Sequence, residues 1–497
     1  MEDIHPEEHF DPTSEITLET VKDRMVKGVV TLTSQYFVLY LITFLTTGAL
    51  TIFLSPAEFG IFGILSTVKL IMSYFSDIGL AASLIQKKEN LTTKDLQTAF
   101  TVQQGLVILL LIILFLITPV IKNTYHLGQD GIYLMYALGI SLFFSSLKTI
   151  PSVLLERHLK FERLAFVNII ENLIYNLILV FLAWKGLGIT SYTVSFLASG
   201  IVGVILIYFM QPWKIGISFS LPTLKHLLKF GIPYQANTFI ALLKDQAPIL
   251  LLGKIVGLEG VGYLTWAQGW AQAPLRIVMD NVQRVSFPAF ARMQDDKSEL
   301  SKTLTRTIFF ITFLVMPAVL GMIILAPQLI HVVPKWVKWT PAIIPLIFFG
   351  FNSIVASFTT QITNVFNAIG KIKITSYLMI MWTVLTLIFV PLLATKFGID
   401  GAAFAYCIVE VSSIIAIYLA KKYVNFSLNE SVLKPLYASA GMAILLLILR
   451  SIFTPSFYSI GLMVIVGGLF YFVLLLFLVG KSLIEDAKKS FNTLFNR

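Results

Sequence analysis

Runs of about 20 apolar residues recur from Gly28 almost to Gly480, separated by short polar stretches. That length crosses a bilayer core of roughly 30 Å. The runs lack the alternation of barrel strands, so each is expected to satisfy its own backbone as a helix. Fourteen spans are predicted, near 28–53, 58–85, 96–118, 131–155, 164–184, 188–210, 226–252, 259–284, 306–329, 342–368, 373–395, 399–420, 434–452 and 457–480. No soluble domain of any size fits between them. The longest external loop is expected around 119–130.

Composition agrees with the pattern: the 497 residues are 57% hydrophobic and 13% charged, about half the charge of a soluble domain. The chain opens with eight acidic side chains (Glu2, Asp3, Glu7, Glu8, Asp11, Glu15, Glu19 and Asp23). A signal peptide opens with basic ones, so residues 1–27 read as a solvated cytoplasmic tail. The single cysteine, Cys407, allows no intramolecular disulfide.

The net charge of +10 could point to nucleic acid, but its placement argues otherwise. Of 37 Lys and Arg residues, only Lys122, Lys185, Lys254, Lys335, Lys338, Lys396 and Arg450 fall in the odd-numbered loops. The tails and even-numbered loops hold clusters such as Arg157/Lys160/Arg163. Positive residues stay inside, so both termini are expected in the cytoplasm, with anionic lipid headgroups rather than nucleic acid as partners.

The first six spans resemble the next six. "SPAEFGIFGIL" (55–65) parallels "VGLEGVGYLTW" (256–266), and "KGLGITSYTVSFLAS" (185–199) parallels "TKFGIDGAAFAYCIV" (395–409). An even span count per half gives both the same orientation, so a parallel repeat is expected. The halves are an N-lobe (28–210) and a C-lobe (211–423), followed by two appended helices (424–480) and a tail (481–497).

Charges inside the spans carry the candidate chemistry, since a charge at the bilayer centre costs about 2.5–3.5 kcal/mol on insertion scales. The cations Lys69, Lys148, Lys244 and Arg276 and the acids Asp77, Glu171, Asp245, Asp280 and Glu410 all lie within predicted spans. Internal ion pairing is one explanation. Arg276 and Asp280 share a helix face as a possible pair. Lys244 and Asp245, being adjacent, point in different directions. An anion site built from the four cations is the other explanation. Asn168, Asn172 and Asn176 form a stripe suited to interhelical hydrogen bonds. Trp266, Trp270, Gln272 and Asn352 would suit a sugar, although Trp is also common at membrane interfaces.

No G-x-x-x-x-G-K-[ST] loop and no clustered Cys/His spacing is present. No external loop is large enough for the catalytic groups of a lipid-linked-sugar polymerase or ligase, so a non-enzymatic transporter without cofactor is the better expectation. A drug exporter for cations would want an anionic cavity, which four intramembrane cations disfavour.

"LSPAEFGIFGILSTVKLIMSYFSDIGLAASLIQKKE", "PSVLLERHLKFERLAFVN", "FPAFARMQDD" and "FGIDGAAFAY" resemble segments of Wzx-type polysaccharide flippases, of the colanic-acid and teichuronic-acid kind. Their superfamily (MOP) also holds the MATE drug exporters and the lipid flippase MurJ. The resemblance implies an all-α membrane protein of fourteen helices: two six-helix lobes plus two. It implies a transporter moving undecaprenyl-pyrophosphate-linked oligosaccharide across the bacterial cytoplasmic membrane. It further implies Lys69, Lys148, Lys244 and Arg276 as pyrophosphate ligands. H+ or Na+ would couple or gate through Asp77, Glu171, Asp245, Asp280 or Glu410, and polysaccharide polymerase or assembly proteins would be partners.

Overall fold

The computed structural model describes residues 18–87 and 89–480. The acidic side chains of the N-terminal tail, Lys88 and the tail 481–497 lie outside the described residues. The order is α1 (Leu18–Phe53), α2 (Pro56–Asp77), α3 (Leu80–Gln86), α4 (Thr93–Tyr125), α5 (Gln129–Arg157), α6 (Phe161–Trp184), α7 (Thr190–Met210) and α8 (Leu221–Ile255). There follow α9 (Gly257–Arg292), α10 (Lys297–Val332), a 3-10 stretch (Pro334–Ala342), α11 (Ile343–Ala368), α12 (Ile372–Val411), α13 (Ile414–Tyr423), α14 (Lys434–Ile452) and α15 (Phe457–Val479). Among the described residues there is no strand, so the all-α expectation holds.

Eleven helical segments of the described residues are long and apolar enough to cross a membrane. They leave out α8 and α9, whose charged and amide residues dilute the apolar run, and they count α12 and α13 together once, where two spans are predicted. Gly398, at φ 60° and ψ −139°, bends the chain inside α12 where the two predicted spans meet. That region of backbone space is open only to glycine.

Three predicted boundaries need correction. The expected 58–85 helix breaks at Asp77, because Ile78 (φ 48°) and Gly79 (φ 76°) turn left-handed before α3 begins. Hydropathy is blind to that turn, since both residues are as apolar as a helix interior. The loop expected at 119–130 shrinks to His126–Gly128, for α4 continues through Pro119 to Tyr125. Predicted span 399–420 is interrupted at Ser412 and Ser413, between α12 and α13.

The chain divides into two compact units. Among the described residues, the first holds 18–54 and Ile61–Gln246, and the second holds Ser55–Gly60 and 247–480. In the first, Leu80, Leu84, Leu96, Phe100, Ile150 and Leu154 pack α3, α4 and α5 together. Arg157 fixes the end of α3 by donating to the Leu84 and Lys87 carbonyls at 2.9 and 2.6 Å. In the second, Ile308, Ile311, Val315, Ile362, Val365 and Phe366 join α10 to α11. Met442, Leu446, Met463 and Tyr471 bind α14 and α15 onto α10. Tails of lipid are as apolar as leucine, so close packing rather than water exclusion holds these helices together.

The tightest crossing in the second unit joins the first turns of α2 and α9. A Cβ on Gly60 would drive into the Leu258 carbonyl, and one on Gly262 into the Pro56 carbonyl. The contact is reciprocal between segments that the sequence repeat pairs, one residue out of the expected register.

Candidate functional site

The α5–α6 hairpin turns at His158–Lys160, with Leu159 left-handed at φ 54°. Lys148 lies nine residues before the end of α5, and Glu171 ten after the start of α6. At 1.5 Å per residue both stand about 14–15 Å from the hairpin turn, near the middle of a bilayer core. They meet there: the Lys148 ammonium donates to both Glu171 oxygens, at 2.6 and 2.7 Å. The side chains retain 17% and 23% of their exposure, so the pair is half-buried but reachable.

Lys69, on α2, is the third charge of this cluster. Lys148 and Glu171 are near enough to act on its charge. Its ammonium sits 4.6 Å from the centre of the Phe196 ring on α7, a cation–π contact. Among the described residues Lys69 makes no ion pair. Gly203, one helix over on α7, leaves the space that the Glu171 carboxylate fills; a Cβ there would stand 2.5 Å from Oε2. Phe62, Tyr192, Phe196 and Tyr175 form an aromatic wall beside the cluster.

The other expected cations are arranged differently. Lys244 approaches Asp245 Oδ1 at 3.6 Å. Adjacency does not keep these two apart, because the four-carbon lysine stem can curl round the helix. Arg276 is exposed and donates to Gln272 Oε1 at 2.9 Å. It reaches one turn toward the N-terminus, as helix side chains lean, and among the described residues no ion pair joins it to Asp280. Asp280 is exposed. Asp77 accepts from the Ala81 N–H at 3.1 Å, holding the first turn of α3. The asparagine stripe bonds within its own helix: Asn176 donates to the Asn172 carbonyl at 2.7 Å and to its side-chain oxygen at 2.9 Å.

In the second unit, Glu410 near the end of α12 gathers neutral donors from α11 and from the break that follows α12. Asn352 Nδ2 donates at 3.0 Å, Ser413 Oγ at 3.1 Å and Thr359 Oγ1 at 3.4 Å. Ser413 belongs to the break between α12 and α13, where backbone groups leave the helical ladder.

Trp266 and Trp270 stand in an aromatic cluster. Trp266 stacks on Trp339 at 5.0 Å and 16°, while Trp270 meets Trp336 at 6.2 Å. Trp266, Trp270 and Trp336 form one wall of a pocket of about 430 Å³, closed by Leu325, Leu329, Leu446 and Met463 among others. No charged or amide side chain lines it. Its chemistry suits hydrocarbon.

Sequence reasoning missed Phe196, Gly203, Trp336 and Trp339, and it singled out Lys148 and Glu171 without joining them. A signal for that pair was present. The two positions are equidistant from the 158–160 turn to within one residue, and residues equidistant from the turn of an antiparallel helical hairpin share a depth. Phe196 and Gly203 carry no such signal, being common residues of apolar helices.

Comparison with known proteins places this architecture. Among solved structures, the lipid II flippase MurJ in an inward closed conformation superposes with a TM-score of 0.75 at 17% identity, covering 90% of this chain and 98% of that one. An inward-facing MATE-family multidrug resistance transporter of the MOP superfamily gives 0.61 at 16% identity, covering 77% and 93%. These likenesses show the fold. In sequence, the lipopolysaccharide biosynthesis protein WzxC of Escherichia coli (strain K12) is 22% identical over 77% of this chain and 78% of its own. The teichuronic acid biosynthesis protein TuaB of Bacillus subtilis (strain 168) is 23% identical over 74% and 77%. The succinoglycan biosynthesis transport protein ExoT of Rhizobium meliloti (strain 1021) is 24% identical over 57% of each chain, so this chain spans little more than half the length of that relative. The resemblance read from the sequence is thereby borne out. A family model described as "Polysaccharide biosynthesis protein" matches residues 49–343. That stretch takes in every helix from α2 to α10 and more than half of the sequence, and the chain therefore belongs to the polysaccharide biosynthesis protein family.

Proposed function

We propose that the protein moves a polyprenyl-pyrophosphate-linked oligosaccharide from the inner to the outer leaflet of a bacterial cytoplasmic membrane, by alternating access and without enzymatic chemistry. The observation that carries this reading is the half-buried cluster of Lys69, Lys148 and Glu171 at mid-helix depth. Its net positive charge offers a pyrophosphate the counter-charge that lipid withholds, and such attraction is far stronger there than in water. Lys244 and Arg276 are further candidates for the passage of the headgroup. The names of WzxC, TuaB and ExoT, all biosynthesis proteins of surface or secreted glycans, support the substrate class.

The predominantly apolar pocket of the second unit suits the polyprenyl chain, which moves Trp266 and Trp270 from the sugar to the tail in this reading. Asn352 then serves Glu410, whose carboxylate beside a broken helix is the candidate to take a coupling H+ or Na+. Asp77, Asp245 and Asp280 have less to recommend them: one caps α3, and the other two are exposed. The distribution of Lys and Arg supports both termini in the cytoplasm.

The test is lipid analysis of a strain lacking the gene. It should accumulate polyprenyl-pyrophosphate oligosaccharides and lose surface polymer, both restored by the wild-type gene. Unchanged lipid pools with altered drug tolerance would defeat the reading in favour of a drug exporter.

A further inference from the structure

Lys148 presents a difficulty for any anion site, because a carboxylate already holds it. Glu171 places both of its oxygens on the one ammonium, at 2.6 and 2.7 Å. The ammonium has three donors, so a phosphate group can take the same two contacts with two of its own oxygens. The carboxylate is seated rather than loose, since Gly203 on α7 leaves the hollow that it occupies. Its partner Lys69 stands by with an aromatic face, and no carboxylate, against its ammonium.

We infer that Glu171 is a built-in competitor for the substrate. Its carboxylate occupies on Lys148 the place of a substrate phosphate oxygen, yields when the pyrophosphate arrives, and returns to expel it. The inference rests on the proposed reading of this cluster as a pyrophosphate site, and it concerns how that site lets go.

The charge count favours an exchange. Lys69 and Lys148 contribute two positive charges and Glu171 one negative charge, so the empty cluster carries one net positive charge. A pyrophosphate diester carries roughly two negative charges at neutral pH. It satisfies both lysines but leaves Glu171 without its partner and pressed against a like charge. Binding is therefore favourable yet opposed from within. A transport site needs that balance, tight enough to load and weak enough to empty. The 17% and 23% exposure of the two side chains gives an incoming anion access to the bond it must break. A pair serving only to neutralise Lys148 would have no such opposing role, and the two cases differ in what removing the Glu171 charge does.

The experiment measures binding of inorganic pyrophosphate to the purified full-length protein in lipid nanodiscs, at fixed ionic strength. Glu171→Gln removes the competitor and keeps its shape. Gly203→Ala leaves Glu171 chemically intact but crowds it out of its hollow. Glu171→Gln should bind pyrophosphate about tenfold more tightly than wild type, the worth of one charge-assisted contact. Gly203→Ala should tighten binding by a smaller factor, and Lys148→Ala should weaken it about tenfold. In complemented cells Glu171→Gln should lower both the half-saturating level of lipid-linked substrate and the maximal rate of export, and Glu171→Asp should recover part of that rate. Unchanged or weaker binding by Glu171→Gln overturns the inference, as does a wild-type protein that binds no pyrophosphate. A null strain that accumulates no lipid-linked oligosaccharide would instead defeat the functional reading, with the binding result standing apart from it.

Discussion

Lys69 and Asp77 lie eight residues apart on one apolar helix, and the structure gives them unlike surroundings. The lysine has an aromatic ring and two nearby charges; the aspartate has a backbone amide of the next helix. Lys69→Ala should abolish export while the protein remains at normal abundance in the membrane, as judged by immunoblot beside surface-polymer staining. Asp77→Ala should cost about 1 kcal/mol of stability, as lost helix caps do, seen as a lower unfolding temperature in detergent. Asp77→Asn keeps an acceptor oxygen and should stay close to wild type. Intramembrane charges are legible in any sequence because lipid makes them costly. Their partners are much less so. Arg276 and Asp280 have the spacing of a pair, yet the arginine leans the other way to Gln272, since an i, i+4 count says nothing of a competing acceptor one turn earlier.

At the scale of the helix, hydropathy located the elements and failed at their apolar breaks. Polar residues between Pro119 and Asp130 suggested a loop, but α4 runs to Tyr125. A helix can absorb a proline near its end because only one or two ladder bonds are lost. Ile78 and Gly79 broke α2 with only Ser76 and Asp77 before them as polar markers, too few to interrupt an apolar run of this length. The crossing of α2 on α9 is likewise invisible to hydropathy, although the repeat pointed to the two segments. Gly60→Ala and Gly262→Ala should each destabilise the protein by about 1–3 kcal/mol, the cost of overpacking. Thermal unfolding in detergent measures it. The double variant should lose less than the sum, because one displacement of the two helices relieves both clashes.

For the molecule as a whole, the proposed function assigns charged head and apolar tail to different places: the lysine cluster in the first unit and the tryptophan-walled pocket in the second. Gly468 lines that pocket and has open space where a side chain would grow. Gly468→Phe should therefore cut export severalfold while leaving pyrophosphate affinity unchanged. Equal loss of both would argue against separate sites for head and tail. The all-helical, many-span character was readable from run length alone, and the family from four short segments. The pocket was not, because it is made by α9, α10, the 3-10 stretch, α11, α14 and α15, whose apolar residues look alike whether they face lipid or enclose a space.

The reciprocal glycine contact also bears on the order in which the chain matures. Gly60 and Leu258 lie almost 200 residues apart in the sequence, and Ser55–Gly60 belongs to the unit that is otherwise built from Ala247 onward. During synthesis at about 5–20 residues per second, the first turn of α2 must wait some ten seconds or more for the backbone that will cover it. A nascent chain halted before Gly257 can complete the packing of α3, α4 and α5, yet it leaves this turn with nothing to seat against. The corner where α2 meets α9 thus closes only once about half of the chain has been made, and a glycine lost there shows its damage only after the helices preceding α9 have been synthesised.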